Sequence, residues 1–151
     1  MLRTALSRTL RLPRTLLRPA STPASTAPLT LGFIGLGNMG KSMAENLIKT
    51  HAPGETIYLF DISATIAQSL VKTHTAPTLT LAVAPSVSFL AQRCDVIVTM
   101  VPATAHVEGL MFGATPTPTP NPTPNPTGIL RSAKSKALII DCSTIDPLTS
   151  R

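Results

Sequence analysis

The chain has no apolar run approaching the roughly 18 consecutive residues a membrane-spanning helix requires, so no such span is expected over its 151 residues. It has only two cysteines, Cys94 and Cys142, with neither a CxxC pair nor a histidine at ligand spacing. That excludes a zinc site and a disulfide scaffold, and both thiols, each beside an apolar run, are expected to be small and buried. Acid is missing from the whole first part of the chain. The earliest acidic residue is Glu45, by which point five of the thirteen basic residues (Arg3, Arg8, Arg11, Arg14 and Arg18) have already passed. Five units of the formal charge of +6 therefore lie ahead of residue 29, and the remainder carries +1. A nucleic-acid-binding domain would carry its charge on a folded face; here the charge belongs to a leader, and no nucleic-acid partner is expected.

What is present in that leader is arginine, serine, threonine and leucine. At about 100° per residue the five arginines gather on one side of a helix. Leu2, Leu6, Leu10, Leu12, Leu16 and Leu17 fall on the other. Such an acid-free amphipathic segment has the character of a mitochondrial presequence, whose partner is the import machinery. A disordered basic tail is the plainer alternative. Pro13 limits the regular helix to residues 2–12, and the Ser/Thr/Pro/Ala stretch over 21–28 reads as a linker. Residues 1–28 are accordingly set apart as presequence and linker, and 29–151, about one domain in length, as the folded part.

From residue 29 apolar runs alternate with helical periodicity. Strands are expected over 29–34, 56–60, 79–83, 95–101 and 137–141, each short and apolar enough to be buried in a parallel sheet. Between them, a helix from Met39 should bury Met39, Met43, Leu47 and Ile48, with Ala44 at the edge of that face, and end at Pro53-Gly54. A helix capped by Ser63 should run to Lys72, a short one over 86–93 should pack Val87, Phe89 and Leu90, and another should span 104–112. Residues 115–128 break the pattern, with prolines at every second position from Pro116 to Pro126. A segment lacking half its amide donors cannot join a sheet and is expected to bulge outward as a surface insertion. Proline-rich runs can also serve as docking ligands, but no basic or aromatic anchor stands nearby. Strand–helix alternation of this kind predicts an α/β, Rossmann-type, doubly wound and mainly parallel sheet covered on both faces. Ligands of such sheets bind outside the carboxyl ends of the strands, where residues 35–40, 101–106 and 143–144 are expected to converge.

Gly35-Leu36-Gly37-Asn38-Met39-Gly40 has the GxGxxG spacing, follows a strand, opens a helix, and precedes an acid, Asp61, by 21 positions. Gly35 permits the tight turn, Gly37 lets the backbone approach a pyrophosphate, and Gly40 lets the helix pack closely on the strand. The phosphates would face backbone amides and the positive end of the helix dipole. Asp61 would accept hydrogen bonds from the adenosine ribose hydroxyls and repel a 2′-phosphate. With no Arg or Lys before Lys72 to compensate, this favours NAD over NADP. A helix-capping role for Asp61 is compatible with that one.

Three segments carry a resemblance to a known family. Gly32-Phe33-Ile34-Gly35-Leu36-Gly37-Asn38-Met39-Gly40 resembles the amino-terminal fingerprint of the β-hydroxyacid dehydrogenases, most closely their 3-hydroxyisobutyrate dehydrogenase branch. Asp95 to Pro102 (DVIVTMVP) resembles the family's strand ending in Met-Leu-Pro, and Asp141 to Pro147 (DCSTIDP) its Asp-x-Ser-Thr-Ile-Asp-Pro segment. The resemblance extends over residues 29–151 apart from the Thr/Pro insertion. It implies NAD-dependent oxidation of a small hydroxyacid, 3-hydroxyisobutyrate to methylmalonate semialdehyde in valine breakdown, by a homo-oligomer in the mitochondrial matrix. A sibling acting on another short hydroxyacid and a non-catalytic NAD-binding module are the alternatives. Carried over, the turn from Phe33 to Gly40 contacts the cofactor, Val101 and Pro102 line its nicotinamide side, Thr144 meets the nicotinamide end, and Ser143 sits near the substrate. His106 stands where the family often has Asn, and still offers one hydrogen-bond donor; as a residue alone it would be a solvated helix position. The resemblance further implies a later Gly-Gly loop, a catalytic lysine and an all-helical carboxyl-terminal domain. None of these occurs in the 151 residues, so the Rossmann domain is read as truncated before that domain, and no catalytic residue or metal is assigned. Lys134 and Lys136 precede the last strand and are expected to be solvated.

Overall fold

The computed structural model describes residues 27–74, 77–113 and 128–146. The expected leader helix, nearly all of the Thr/Pro insertion and the Pro147 end of the last family segment lie outside the described residues. Strands and helices alternate as β1 (Thr30–Ile34), α1 (Asn38–Thr50), β2 (Thr56–Phe60), α2 (Ala64–Thr73), β3 (Thr80–Val83), α3 (Val87–Arg93), β4 (Val96–Thr99), α4 (Thr104–Phe112), α5 (Ile129–Ser132) and β5 (Leu138–Asp141). All five strands are parallel, in the order β3-β2-β1-β4-β5. The chain thus winds outward from β1 in one direction, crosses back, and continues from β4 in the other, which is the doubly wound topology expected of the sequence.

Alternation along each strand divides the core into two layers. Phe33, Ile57, Leu59 and Val98 face α1 and α2, where Ala44, Ile48, Ala67 and Leu70 complete one cluster. Ile34 and Ile97 face the other side, with Leu90, Ala91, Cys94 and Ile129. Full burial of such a side chain contributes roughly 1.5–3 kcal/mol, and the largest fully buried ones gather on β1, β2 and β4. On α1 the expected face is met in part: Ile48 is buried, and Met43 and Leu47 pack half-buried against the same cluster, while Met39 is 65 % exposed. Gly40 and Ala44, the latter expected only at the edge, are the other buried positions. Coverage of the sheet is also uneven. Leu138 and Ile140 on β5 remain exposed, while Ile139, pointing to the opposite face, packs into the second cluster.

Further expectations are corrected at the thiols, the helix caps and Lys134. Cys94 is buried, and burial pushes its thiol up to about 11, but Cys142, just past the sheet edge, is exposed. Ser63 occupies the N-cap of α2 without a side-chain cap, whereas Ser86 does cap α3, accepting from the Phe89 amide at 3.1 Å. Lys134 is not simply solvated: it is ion-paired with Asp95 and donates to the Arg93 carbonyl at 3.3 Å. Asp95 in turn accepts from the Thr30 amide at 2.9 Å and donates its own amide to the Thr30 carbonyl at 2.7 Å, pinning the start of β4 to the start of β1.

Lys134 and, after it, the Thr30 amide hold the Asp95 carboxyl below its ordinary value of 3.8. A carboxyl depressed in the folded state stabilises the fold above the unfolded value and loses that contribution as pH falls through the folded one. Asp95→Asn should therefore lower urea stability at neutral pH, and the gap to the wild type should narrow as pH drops below 3.8; a gap constant with pH would show that the charge is immaterial.

The insertion leaves and re-enters at one place. A Cβ on Gly128 would strike the backbone of Phe112 and Gly113, so the chain on the two sides of the insertion is already in contact. Replacing residues 115–127 with a short glycine linker should leave the thermal unfolding midpoint within a few degrees, read by circular dichroism. A large drop would make the insertion part of the fold.

Candidate functional site

The glycine turn links β1 to α1 at the carboxyl edge of the sheet. Gly35 has a φ of +92°, a left-handed conformation that glycine adopts at no steric cost, and a Cβ there would strike the Met100 carbonyl oxygen. Its amide donates to the Phe60 carbonyl at 2.9 Å, extending the ladder between β1 and β2 into the turn. Gly40 is required for a different reason: a Cβ would run into the Gly35 carbonyl and approach the Phe33 ring, so α1 lies flat against the turn that precedes it. Gly37 is different again. Its φ of −65° suits any residue, yet among the described residues no atom beyond its immediate chain neighbours lies within 4 Å of where its Cβ would be. The space beside Gly37 is open, and α1 has neither a side-chain cap at its N-cap nor an acidic residue in its first turn.

Gly37 opens into a cleft of about 740 Å³ lying over the carboxyl ends of β1 and β4, the point from which the chain winds in opposite directions. Its walls are mainly apolar. The turn supplies Ile34, Gly35, Gly37, Asn38, Met39 and Gly40; the end of β2 supplies Asp61; the loop after β4 supplies Val101 and Pro102; and α4 supplies His106. Ten of the expected site residues thus share one cavity. Four do not line it. Phe33 and Leu36 are buried beneath the turn, Thr144 is exposed beyond β5, and Ser143 is half-buried with its hydroxyl engaged elsewhere.

Asp61 carries a second duty that its sequence position gave no sign of. One carboxylate oxygen accepts from the Leu36 amide at 2.6 Å and the other from the Ser63 amide at 2.8 Å. It thereby ties the glycine turn to the start of α2; the N-cap position itself falls to Ser63, and Asp61 closes a turn just ahead of that helix. Ser143 accepts from the Val101 amide at 2.9 Å and donates to Asp141 at 2.7 Å, so the third expected segment reaches the cleft through its rim.

Phe60, Ile62, Met100, Gly109 and Leu110 also line the cleft and were not anticipated; Ala105 lines it from within the 101–106 segment expected there. Ala105 and Gly109 are four apart and so share a face of α4, and small residues at that spacing were the available signal. Ile62, 92 % exposed directly after the strand-ending Asp61, was the other. Among the described residues no group of three or more His, Cys, Asp or Glu could hold a metal ion.

A parallel sheet of this order, with a glycine turn opening into a cleft at its switch point and an acid ending the second strand, defines a dinucleotide-binding domain of Rossmann type. The comparisons with known proteins agree. The family described as the NAD binding domain of 6-phosphogluconate dehydrogenase matches residues 30–151, and the chain belongs to it. Among curated relatives, the probable mitochondrial 3-hydroxyisobutyrate dehydrogenase of Dictyostelium discoideum is 36% identical over 128 residues, 85% of this chain and 33% of that one. The mitochondrial 3-hydroxyisobutyrate dehydrogenase of Rattus norvegicus is 35% identical over the same length, covering 85% and 31%. A solved Mycobacterium tuberculosis 3-hydroxyisobutyrate dehydrogenase with L-serine superposes with a TM-score of 0.60 at 28% identity, over 82% of this chain and 34% of that one. The chain spans about a third of the length of these relatives. The matching family model is that of an NAD binding domain, and the open space at Gly37 fits a group whose phosphates need close backbone approach.

Because Gly37 is unstrained and unobstructed, Gly37→Val should fold normally yet lose NAD affinity by at least about tenfold, its side chain filling the phosphate space. Gly40→Val should instead lower the unfolding midpoint, since its Cβ meets backbone. Calorimetric titration with NAD and thermal unfolding separate the two, and unchanged affinity in folded Gly37→Val would give the turn another purpose.

Proposed function

We propose that the chain forms the NAD-binding part of a mitochondrial 3-hydroxyisobutyrate dehydrogenase, which oxidises 3-hydroxyisobutyrate to methylmalonate semialdehyde in valine breakdown. The observation that carries this reading is the open cleft at Gly37, in a chain whose relatives bear that dehydrogenase's name. Residues 1–28 would direct import to the matrix, residues 29–151 would form the cofactor domain, and the Thr/Pro insertion over 115–128 would be a surface excursion. The parent enzyme would be a homo-oligomer.

In this reading the amides from Gly35 to Gly40 surround the pyrophosphate, with Phe33, Ile34 and Leu36 supporting the turn. Asp61 takes the adenosine ribose. Val101, Pro102, His106 and Thr144 form the nicotinamide side, and Ser143 stands between it and the substrate. Bound NAD supplies the hydride acceptor; what this chain's residues do is bind it, orient it and keep one side of it dry. Hydride removal from an alcohol also needs a group for the hydroxyl proton, and no residue of this chain is assigned that task. The L-serine that accompanies the Mycobacterium tuberculosis enzyme in its solved structure favours a second reading, a sibling enzyme for another short β-hydroxyacid.

NAD should bind at least about tenfold more tightly than NADP, because the Asp61 carboxylate repels a 2′-phosphate. Asp61→Asn keeps an acceptor for the Leu36 amide but removes the charge, and should narrow that preference; tighter NADP binding by the wild type would refute the ribose assignment. The chain alone should form no NADH from 3-hydroxyisobutyrate, and turnover near a typical rate of about 10 per second would place a general base among residues treated as structural. A longer product of the same gene should favour 3-hydroxyisobutyrate over L-serine in kcat/KM, and the opposite order would move the assignment to the sibling.

A further inference from the structure

We infer that Asp141, a residue outside the cleft, is a positioning residue for the rim that receives the nicotinamide end of the cofactor. The inference rests on the NAD reading above and goes beyond it by assigning a task to a side chain that lines no part of the cavity.

Asp141 ends β5 directly opposite Thr99, the last residue of β4. One of its carboxylate oxygens, Oδ1, gathers three donors. The fully buried Thr99 hydroxyl donates at 2.7 Å, the Ser143 hydroxyl at 2.7 Å and the Ser143 amide at 3.1 Å. Ser143 Oγ then accepts from the Val101 amide at 2.9 Å. Val101 is followed by Pro102, which has no amide, so Ser143 holds the last donor before the rim turns toward α4. On the other side of the rim the Met100 amide donates to the Ile34 carbonyl at 2.9 Å. The β4 loop is therefore held from the turn side by the sheet ladder and from the far side by the relay Asp141–Ser143–Val101.

Hydroxyl stoichiometry makes the relay directional. A serine hydroxyl has one proton and two lone pairs. Its proton goes to Asp141 and one lone pair to Val101, leaving a single lone pair for any ligand. Ser143 held in this way can accept from a ligand hydroxyl or amide, but cannot donate to a carboxylate without releasing Asp141. Hydrogen bonds to a charged acceptor are also shorter and stronger than neutral ones, which keeps Ser143 in the orientation that Val101 needs.

The test compares NAD with ADP-ribose, which lacks the nicotinamide, by calorimetric titration of the full chain. Asp141→Ala should weaken NAD about tenfold, the scale of losing a hydrogen bond to a charged group, while leaving ADP-ribose nearly unchanged. Asp141→Asn, retaining an acceptor oxygen, should restore most of the difference. Ser143→Ala leaves the Thr99–Asp141 bond in place and should reproduce the selective loss, which keeps the inference testable if Asp141→Ala fails to fold. Equal losses for both ligands, or no loss for NAD in either alanine variant, would overturn it. A wild-type chain binding neither ligand would overturn the NAD reading itself, and the inference with it.

Discussion

The close approach of α1 to β1 is the constraint on which the rest of the site depends. It is possible only because Gly40 presents no Cβ to the Gly35 carbonyl, and it aims the start of α1 across the carboxyl edge of the sheet. With α1 in that position Ala44 and Ile48 seal the first core layer, Met39 is turned outward to the cleft, and the turn is near enough to β2 for Asp61 to reach the Leu36 amide. A helix standing off by a methyl group would lose the packing and the hydrogen bond together, since interiors packed at crystal-like density do not absorb such a displacement locally.

Carboxylates at strand ends are the second organising device. The chain has only seven acidic residues, and four of them stand at strand ends and accept backbone amides: Glu55 takes the nearby Ala52 amide before β2, and the other three join segments of the fold. Asp95 holds Thr30 at the start of the sheet; Asp61 holds Leu36 and Ser63; Asp141 holds Ser143. Parallel strands leave amides unpaired where they turn into loops, and an ionised acceptor satisfies them more strongly than a neutral one. Two of these clamps bracket the cleft, one on the adenosine side and one on the nicotinamide side of the proposed cofactor. The third lies at the opposite edge and serves the sheet alone, joined by Lys134.

Among the described residues the sheet is best covered at its centre. β1, β2 and β4 pack against both core clusters, whereas β5 half-buries Ile139 and exposes Leu138 and Ile140. The glycine turn, Asp61 and Val101 sit at the ends of those central strands, and β5 reaches the rim through Asp141 and Ser143.

By itself the sequence determined the strands, the first four helices and the glycine turn, because these follow from local rules, whereas the four-residue α5 (Ile129–Ser132) is too short to leave a periodic pattern. Apolar runs of strand length, helical periodicity and GxGxxG spacing act over a few residues, and each expected strand is present within a few residues of its anticipated ends. The expectation that proline-rich residues 115–128 stand apart from the fold follows from a local rule too, the missing amide donors. Tertiary structure alone decided how those elements are joined. Which face of α1 is buried depends on its distance from β1, so Met39 and Ala44 exchanged roles. Lys134 became an ion-pair partner only when the loop before β5 met the start of β4 at Asp95. Ser143 and Val101, 42 positions apart, met because β4 and β5 are neighbours, and Cys142, directly after β5, is exposed. Contacts between residues distant in sequence are set by strand order, and strand order is a property of the whole packed sheet that no local pattern encodes.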